Sequence, residues 1–174
     1  MAVIGGGLGG IGPEGEVGHQ LRVVRVVAPD DLERLVVPAL GDEAGNVAAW
    51  PLEDLHRVQR DIHELACNWK VFWENYNECY HCGPVHPELC AVAPAFRERG
   101  GADLDWDRGV PHREGATTFT ASGETSRASF PALNADEQTR HKGEMLLPNL
   151  FLSLARDHVA AFLLQPRGPA MTDI

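Results

Sequence analysis

Three side chains in the middle of the sequence, Glu78, His81 and His86, have the types and spacing of metal ligands. Two neutral imidazoles with a nearby carboxylate are the ligand set of a non-haem Fe(II) centre. Glu78 and His81 are three residues apart and would share a face of a helix. His81 and His86 would point about 140° apart on an unbroken helix. Because Gly83 and Pro84 can break the helix between them, the sequence predicts that both rings reach one ion.

A zinc site is the alternative for the same segment. Three thiols and one imidazole could form a closed tetrahedral site. The four donors would be Cys79, Cys82, His86 and Cys90. That reading leaves Glu78 and His81 unused, and buried cysteines can also be simple packing residues. A small structural zinc module and a metal-free interaction protein therefore remain alternatives to an iron site.

The residues around these ligands resemble a known family. The segment resembles the iron site of the Rieske-type aromatic-ring-hydroxylating oxygenase alpha subunit. Within that family it is most similar to the branch that oxidises glycine betaine and other quaternary ammonium compounds. The matching blocks are Asn68-Trp69-Lys70, Glu74-Asn75-Tyr76-Asn77-Glu78-Cys79-Tyr80-His81 and His86-Pro87-Glu88-Leu89-Cys90.

The resemblance implies a site and a reaction. His81 and His86 would hold a mononuclear Fe(II), with a downstream aspartate as third ligand. Glu78 matches the catalytic carboxylate that links the iron ligand to the Rieske [2Fe–2S] cluster of a neighbouring subunit. Family members are mono- or dioxygenases, receive electrons from a reductase or ferredoxin, and are typically trimeric. In the ammonium branch a small-molecule substrate is hydroxylated at an N-methyl carbon and then loses formaldehyde.

Two features of the family are missing from the sequence. The paired Cys-x-His and Cys-x-x-His motifs that hold the [2Fe–2S] cluster are absent. No aspartate lies at the expected distance after His86, and Asp157 is set aside because a hairpin tip should face solvent. The expectation is therefore a partial catalytic domain over residues 20–168, inactive alone. A Gly-rich, disordered leader over residues 1–19 would precede it, and a tail over residues 169–174 would follow.

Composition narrows the class of protein. The chain has 174 residues, 44% of them hydrophobic, and a net charge of −10, which suits one domain and argues against a nucleic-acid partner. No apolar run approaches the roughly 20 residues of a membrane helix, and no secretory signal is visible. The four cysteines are clustered between positions 67 and 90 rather than spread as a disulfide framework. A cytoplasmic location is therefore expected.

The element pattern predicts an α+β fold. Residues 20–28 have the pattern of a strand, and a short helix follows to about Val37. Residues 68–82 have the pattern of one long helix, ended by Gly83-Pro84. Five aromatic residues at spacings of three and four would form its buried face: Trp69, Phe72, Trp73, Tyr76 and Tyr80.

A hairpin of strands is predicted at residues 150–154 and 159–164, with strands also at 61–66, 117–122 and 127–130. Residues 132–145 are expected to be loop with a helical turn. Together with the family resemblance, the pattern indicates a partial helix-grip domain, an antiparallel sheet packed on a long helix. The remaining histidines are expected to be surface or packing residues: His19, His56, His63, His112, His141 and His158.

Overall fold

The computed structural model describes residues 44–146 and 149–174. The expectations for the leader, the strand at 20–28 and the helix that follows it lie outside these residues. The described helices are α1 (Ala44–Val47), α2 (Trp69–Tyr76), α3 (Cys82–Val85) and α4 (Pro87–Val92). Single 3-10 turns occupy Leu52–Asp54, Pro94–Phe96, Glu98–Gly101 and Glu137–Thr139. The strands are β1 (Glu64–Leu65), β2 (Val110–Pro111), β3 (Arg140–Leu146), β4 (Leu150–Leu154), β5 (Val159–Leu163), β6 (Gln165–Gly168) and β7 (Met171–Asp173).

Two antiparallel sheets organise the described residues. The larger one has the order β2-β3-β4-β5, and the smaller one has the order β1-β7-β6. The β4–β5 hairpin was predicted and is confirmed, with Leu154 opposite Val159 and Leu150 opposite Leu163. The coarse α+β prediction is therefore confirmed. Residues 169–174, assigned to a tail, include β7, which pairs with both β1 and β6.

The aromatic face of α2 packs against the larger sheet at Phe151. The ring of Phe151 is fully buried, and its centroid lies 4.4 Å from Tyr76, 4.6 Å from Trp73 and 5.9 Å from Phe72. Such a cluster of aromatic pairs adds to the stabilisation from buried apolar area. Tyr80 does not belong to this face, because its side chain is 83% exposed.

The prediction of one helix over residues 68–82 is wrong in its second half. Asn68 caps the start of α2, where its side-chain oxygen accepts the backbone N–H of Lys70 at 3.0 Å. The helix ends at Tyr76, and the Asn77 N–H closes it by bonding to the carbonyls of Trp73 and Glu74. Residues 77–81 are turn and coil. We call residues 77–86, which carry Glu78, His81 and His86, the ligand segment. It begins where α2 ends and is not part of that helix.

The strand predictions at residues 117–122 and 127–130 are also wrong. These residues form turns, and the N–H groups of Thr117 and Thr118 both point at the carbonyl of Gly123. Thr118 and Thr120 are buried because their hydroxyls find acceptors, not because they lie in a ladder. Conversely, the last part of the predicted loop at residues 132–145 belongs to strand β3, whereas the predicted helical turn is present at Glu137–Thr139.

Candidate metal centre

The turn after α2 brings the Glu78 carboxylate onto the His81 ring. Glu78 Oε1 lies 2.5 Å from His81 Nδ1, and Oε2 accepts the backbone N–H of Tyr80 at 2.7 Å. The hydrogen bond from His81 is the largest cause that holds the pKa of Glu78 below its usual value. The contact was predicted, but its origin is different: a capped turn, not a shared helical face, brings the two groups together. With Nδ1 facing Glu78, Nε2 is the His81 atom that could bind a metal.

His86 lies at the second break in the backbone. Its φ of −121° and ψ of 62° are not helical, and it separates α3 from α4. The prediction that Gly83 and Pro84 break the helix is wrong, because both lie inside α3. Proline is tolerated in the first turn of a helix, where its missing N–H would have no helical partner. The redirection comes instead from residues 77–81 on one side and from His86 on the other.

The two imidazoles meet at a geometry that suits one ion. The ring centroids of His81 and His86 are 5.0 Å apart, and the ring planes are 79° apart. A metal–nitrogen bond of about 2.1 Å puts each centroid about 3.3 Å from the ion, so two ligand rings with a nitrogen–metal–nitrogen angle of about 90° have centroids about 4.7 Å apart. Burial, followed by the neighbouring His81, lowers the pKa of His86 and so favours the neutral ring that a ligand needs. The residues present therefore fit a metal held by two histidines.

The three cysteines of residues 79–90 belong to a buried apolar cluster. Cys79, Cys82 and Cys90 are buried and free, and the Cys90 thiol donates to the carbonyl of Cys82 at 3.3 Å. Within residues 44–146 and 149–174, no three or more His, Cys, Asp or Glu side chains converge as a group that could hold a metal. A closed zinc site needs four such donors, all from this part of the chain, so the structure gives the zinc alternative no support. A two-histidine half-site does not need them. Cys79-Tyr80-His81 has Cys-x-His spacing, but no Cys-x-x-His accompanies it.

Asp157 is buried, which corrects the expectation that the hairpin tip faces solvent. Its side chain is 0% exposed. The carboxylate accepts hydrogen bonds from Thr118 Oγ1, from Thr125 Oγ1 at 2.7 Å, from Arg127 Nε at 3.1 Å and from His158 Nδ1 at 2.9 Å. Burial alone would raise the pKa of Asp157, but the hydrogen bonds from His158, Thr118 and Thr125 lower it well below its usual range. Both oxygens are thus occupied by protein donors.

Three histidines treated as isolated by the sequence reasoning lie close together in the fold. The Phe119 ring is stacked on His141 at 3.8 Å and on His112 at 5.8 Å, with both ring pairs 10° from parallel. Both nitrogens of His112 and the Nδ1 atom of His141 are buried without a hydrogen-bond partner. Burial, followed by nearby histidines, lowers the pKa of His112 to about 4 and that of His141 to about 3. His158 is a neighbour of both rings. The three histidines are far apart in the sequence, so no local motif predicts this cluster.

Within the same described ranges, no helix is long and apolar enough to cross a membrane.

The family model and the similar proteins that match this chain all belong to oxygenase subunits. Residues 52–174 match the model of the ring hydroxylating alpha subunit (catalytic domain). The chain is 50% identical over 42 residues to a carnitine monooxygenase oxygenase subunit of Acinetobacter baumannii, covering 24% of this chain and 11% of that protein. It is 25% identical over 145 residues to a glycine betaine monooxygenase oxygenase subunit of Chromohalobacter salexigens, covering 66% of this chain and 32% of that protein.

A third relative is a glycine betaine monooxygenase oxygenase subunit of Pseudomonas aeruginosa, 44% identical over 50 residues, which are 29% of this chain and 9% of that protein. The matched region is thus at most about a third of the length of these relatives. The family model, in contrast, covers more than two thirds of this chain. The Rieske oxygenase resemblance is therefore confirmed, and the chain belongs to the family of ring-hydroxylating oxygenase alpha-subunit catalytic domains.

Proposed function

We propose that residues 69–92 form the mononuclear Fe(II) segment of a Rieske-type oxygenase, with His81 and His86 as iron ligands. The observation that supports this most directly is the pair of nearly perpendicular imidazoles 5.0 Å apart. Glu78 fixes the orientation of His81 through Nδ1 and is the positioned carboxylate of the site. In this role it would orient the ligand and relay charge from a neighbouring Rieske cluster.

The residues of this chain have defined tasks in such a site. His86 presents a ring whose pKa is lowered by burial, and Glu78 accepts the Nδ1 proton of His81. When bound, Fe(II) supplies the activation of O2. The third, carboxylate ligand would come from outside residues 44–146 and 149–174, since no third acidic or thiol donor joins the two histidines within them. We therefore propose that the segment by itself binds iron weakly and does not turn over.

The proposed substrate is a quaternary ammonium compound. The relatives are named for carnitine and glycine betaine, both small molecules of this class. Aromatic faces attract such cations, and the aromatic residues Trp73 and Tyr76 lie at the end of α2, just before the ligand segment. The proposed reaction is hydroxylation of an N-methyl carbon, after which the hemiaminal product loses formaldehyde. We also propose that a reductase or ferredoxin supplies the electrons and that the oxygenase assembles as a trimer.

Iron binding by the two histidines can be tested by electron paramagnetic resonance. We expect the protein, loaded anaerobically with Fe(II) and nitric oxide, to give an iron–nitrosyl signal. The signal should be lost in His81→Ala and in His86→Ala, because each change removes one of two ligands. The exposed His56→Ala variant is the matched control and should keep the signal. An unchanged signal in both ligand variants would refute the assignment, and tight zinc in the purified protein would favour the cysteine alternative.

Glu78 can be tested separately from the ligands. We expect Glu78→Gln to weaken Fe(II) binding about 10- to 100-fold, the usual effect of losing a carboxylate that orients a ligating histidine. Glu74→Gln, an exposed position on α2, should leave binding unchanged. The measurement is anaerobic titration with Fe(II). Equal affinities of Glu78→Gln and Glu74→Gln would mean that the Glu78–His81 contact has no part in the site.

A further inference from the structure

The backbone after α4 runs antiparallel along the segment that holds His81. Three pairs of positions approach each other: Gly83 and Arg97, Tyr80 and Gly100, Cys79 and Gly101. The two numbers in each pair add to the same total, so the two segments run side by side in a constant register. We call residues 97–101 the bracing loop.

The bracing loop approaches the ligand segment more closely than any side chain would allow. A Cβ atom added at Gly101 would lie 2.5 Å from Cys79 Cβ and 3.3 Å from its sulfur. A Cβ atom at Gly100 would lie 3.1 Å from the ring of Tyr80. On the other side of His81, a Cβ atom added at Gly83 would lie 3.4 Å from Cγ of Arg97. The loop therefore contacts the ligand segment on both sides of His81.

The bracing loop also has a backbone shape that glycine permits. Arg99, Gly100 and Gly101 have consecutive positive φ angles of 49°, 63° and 75°. Glycine adopts this left-handed region without a steric penalty, whereas other residues resist it. The loop is held at its start by Phe96, which is buried against Cys79, Cys82 and Cys90. In the middle of the loop, Arg99 forms an exposed ion pair with Asp103 at 2.5 Å. Burial of Phe96 therefore anchors the start of the loop.

We propose that the bracing loop positions Glu78 and His81, and that Gly101 is the positioning residue, because it sets the location of Cys79 between them. This rests on the proposed iron site, but the placement itself is a property of the metal-free protein. Displacing Cys79 would pull Glu78 away from His81 Nδ1 and turn the imidazole from its ligand orientation.

The test compares three glycine-to-alanine variants. Gly101→Ala and Gly100→Ala introduce a methyl group against the ligand segment. Gly115→Ala is the matched control, because Gly115 also has a positive φ, 79°, but its added Cβ would meet only Arg113 Nη1, at 3.9 Å. The first measurement is the ¹⁵N signal of the His81 ring in metal-free protein, and the second is the affinity for Fe(II).

We expect the His81 signal to move in Gly100→Ala and Gly101→Ala but not in Gly115→Ala. Fe(II) binding should weaken about 10- to 100-fold in Gly101→Ala, and less in Gly100→Ala, whose added methyl group meets only the exposed Tyr80 ring. If Gly101→Ala does not fold, Gly100→Ala decides alone, since its contact is with the edge of an exposed ring. An unmoved His81 signal, an equal shift in Gly115→Ala, or loss of folding in Gly100→Ala would overturn the proposal. A moved His81 signal in a protein that never binds Fe(II) would support the brace and refute the iron site.

Discussion

Asp157→Ala is expected to lower the free energy of unfolding by about 3–5 kcal/mol, the usual cost of removing one partner from a buried charged network. The Asp157 carboxylate is buried, and it accepts four hydrogen bonds from three separate stretches of chain. Without it, the hydroxyls of Thr118 and Thr125 and the Arg127 guanidinium lose their acceptor. The turns at residues 117–127 would then separate from the β4–β5 hairpin. Urea unfolding at pH 7.5 measures the loss.

The control for this prediction is Asp136→Ala. Asp136 also joins two arginines, Arg108 at 2.9 Å and Arg140 at 2.8 Å, but its side chain is 44% exposed. Exposed ion pairs contribute about 0–1 kcal/mol, so this variant should lose little stability. Similar losses in the two variants would show that burial of the Asp157 carboxylate is not what matters.

Acidification from pH 7.5 to pH 5 is expected to remove about 4 kcal/mol of stability through His112 and His141. In the unfolded chain both pKa values are about 6.5. In the folded protein burial lowers the pKa of His112 to about 4 and that of His141 to about 3. Below pH 6.5 the unfolded chain therefore binds two protons that the folded state does not bind. The free energy of unfolding decreases as the pH is lowered. Above about pH 7.5 both rings are neutral in both states, and these two histidines add little pH dependence.

Asp157, which reaches this cluster through His158, does not cancel the effect. Asp157 bonds to His158, the neighbour that His112 and His141 share, and it stays ionised in the folded protein at pH 5. The check is urea unfolding at both pH values in the parent protein and in His141→Phe, which keeps a ring against Phe119. We expect the variant to lose about 2 kcal/mol less than the parent on acidification. His56→Phe, at an exposed position, should behave like the parent. A pH dependence that is the same in all three proteins would contradict the prediction.

The candidate site was largely predictable because its signals are local. Glu78, His81 and His86 lie within nine residues, so spacing alone limits how far apart their side chains can be. The β4–β5 hairpin is equally local, and its β-type residues with an Asp in the turn were sufficient. What the spacing could not give is the backbone between the ligands. The end of α2 at Asn77 depends on which backbone carbonyls the Asn77 N–H meets. Pro84 fits inside α3 because a first-turn residue needs no N–H partner within the helix.

The Asp157 network and the histidine cluster were not predictable for the opposite reason. Asp157 meets Thr118 and Arg127 across 39 and 30 residues of sequence. His112 and His141 meet on Phe119 only after β2 pairs with β3. Single polar residues at such separations look like surface residues until the fold brings them together. The threonine-rich stretch at 117–120 misled the strand prediction because Thr and Phe are enriched in strands.

The pairing of β1 with β7 ties residues 63–65 to the last residues of the described chain. His63 and Ile174 exchange backbone hydrogen bonds in both directions, at 2.9 and 3.0 Å. Upstream, Trp50 donates to the carbonyl of Ala155 at 2.9 Å and packs with Leu154 and Val159. Between these two anchors most of residues 53–62 are exposed. A protease cut in that stretch would therefore yield two fragments that remain associated, in the manner of a complementing pair, and the ligand segment would stay whole in the larger one.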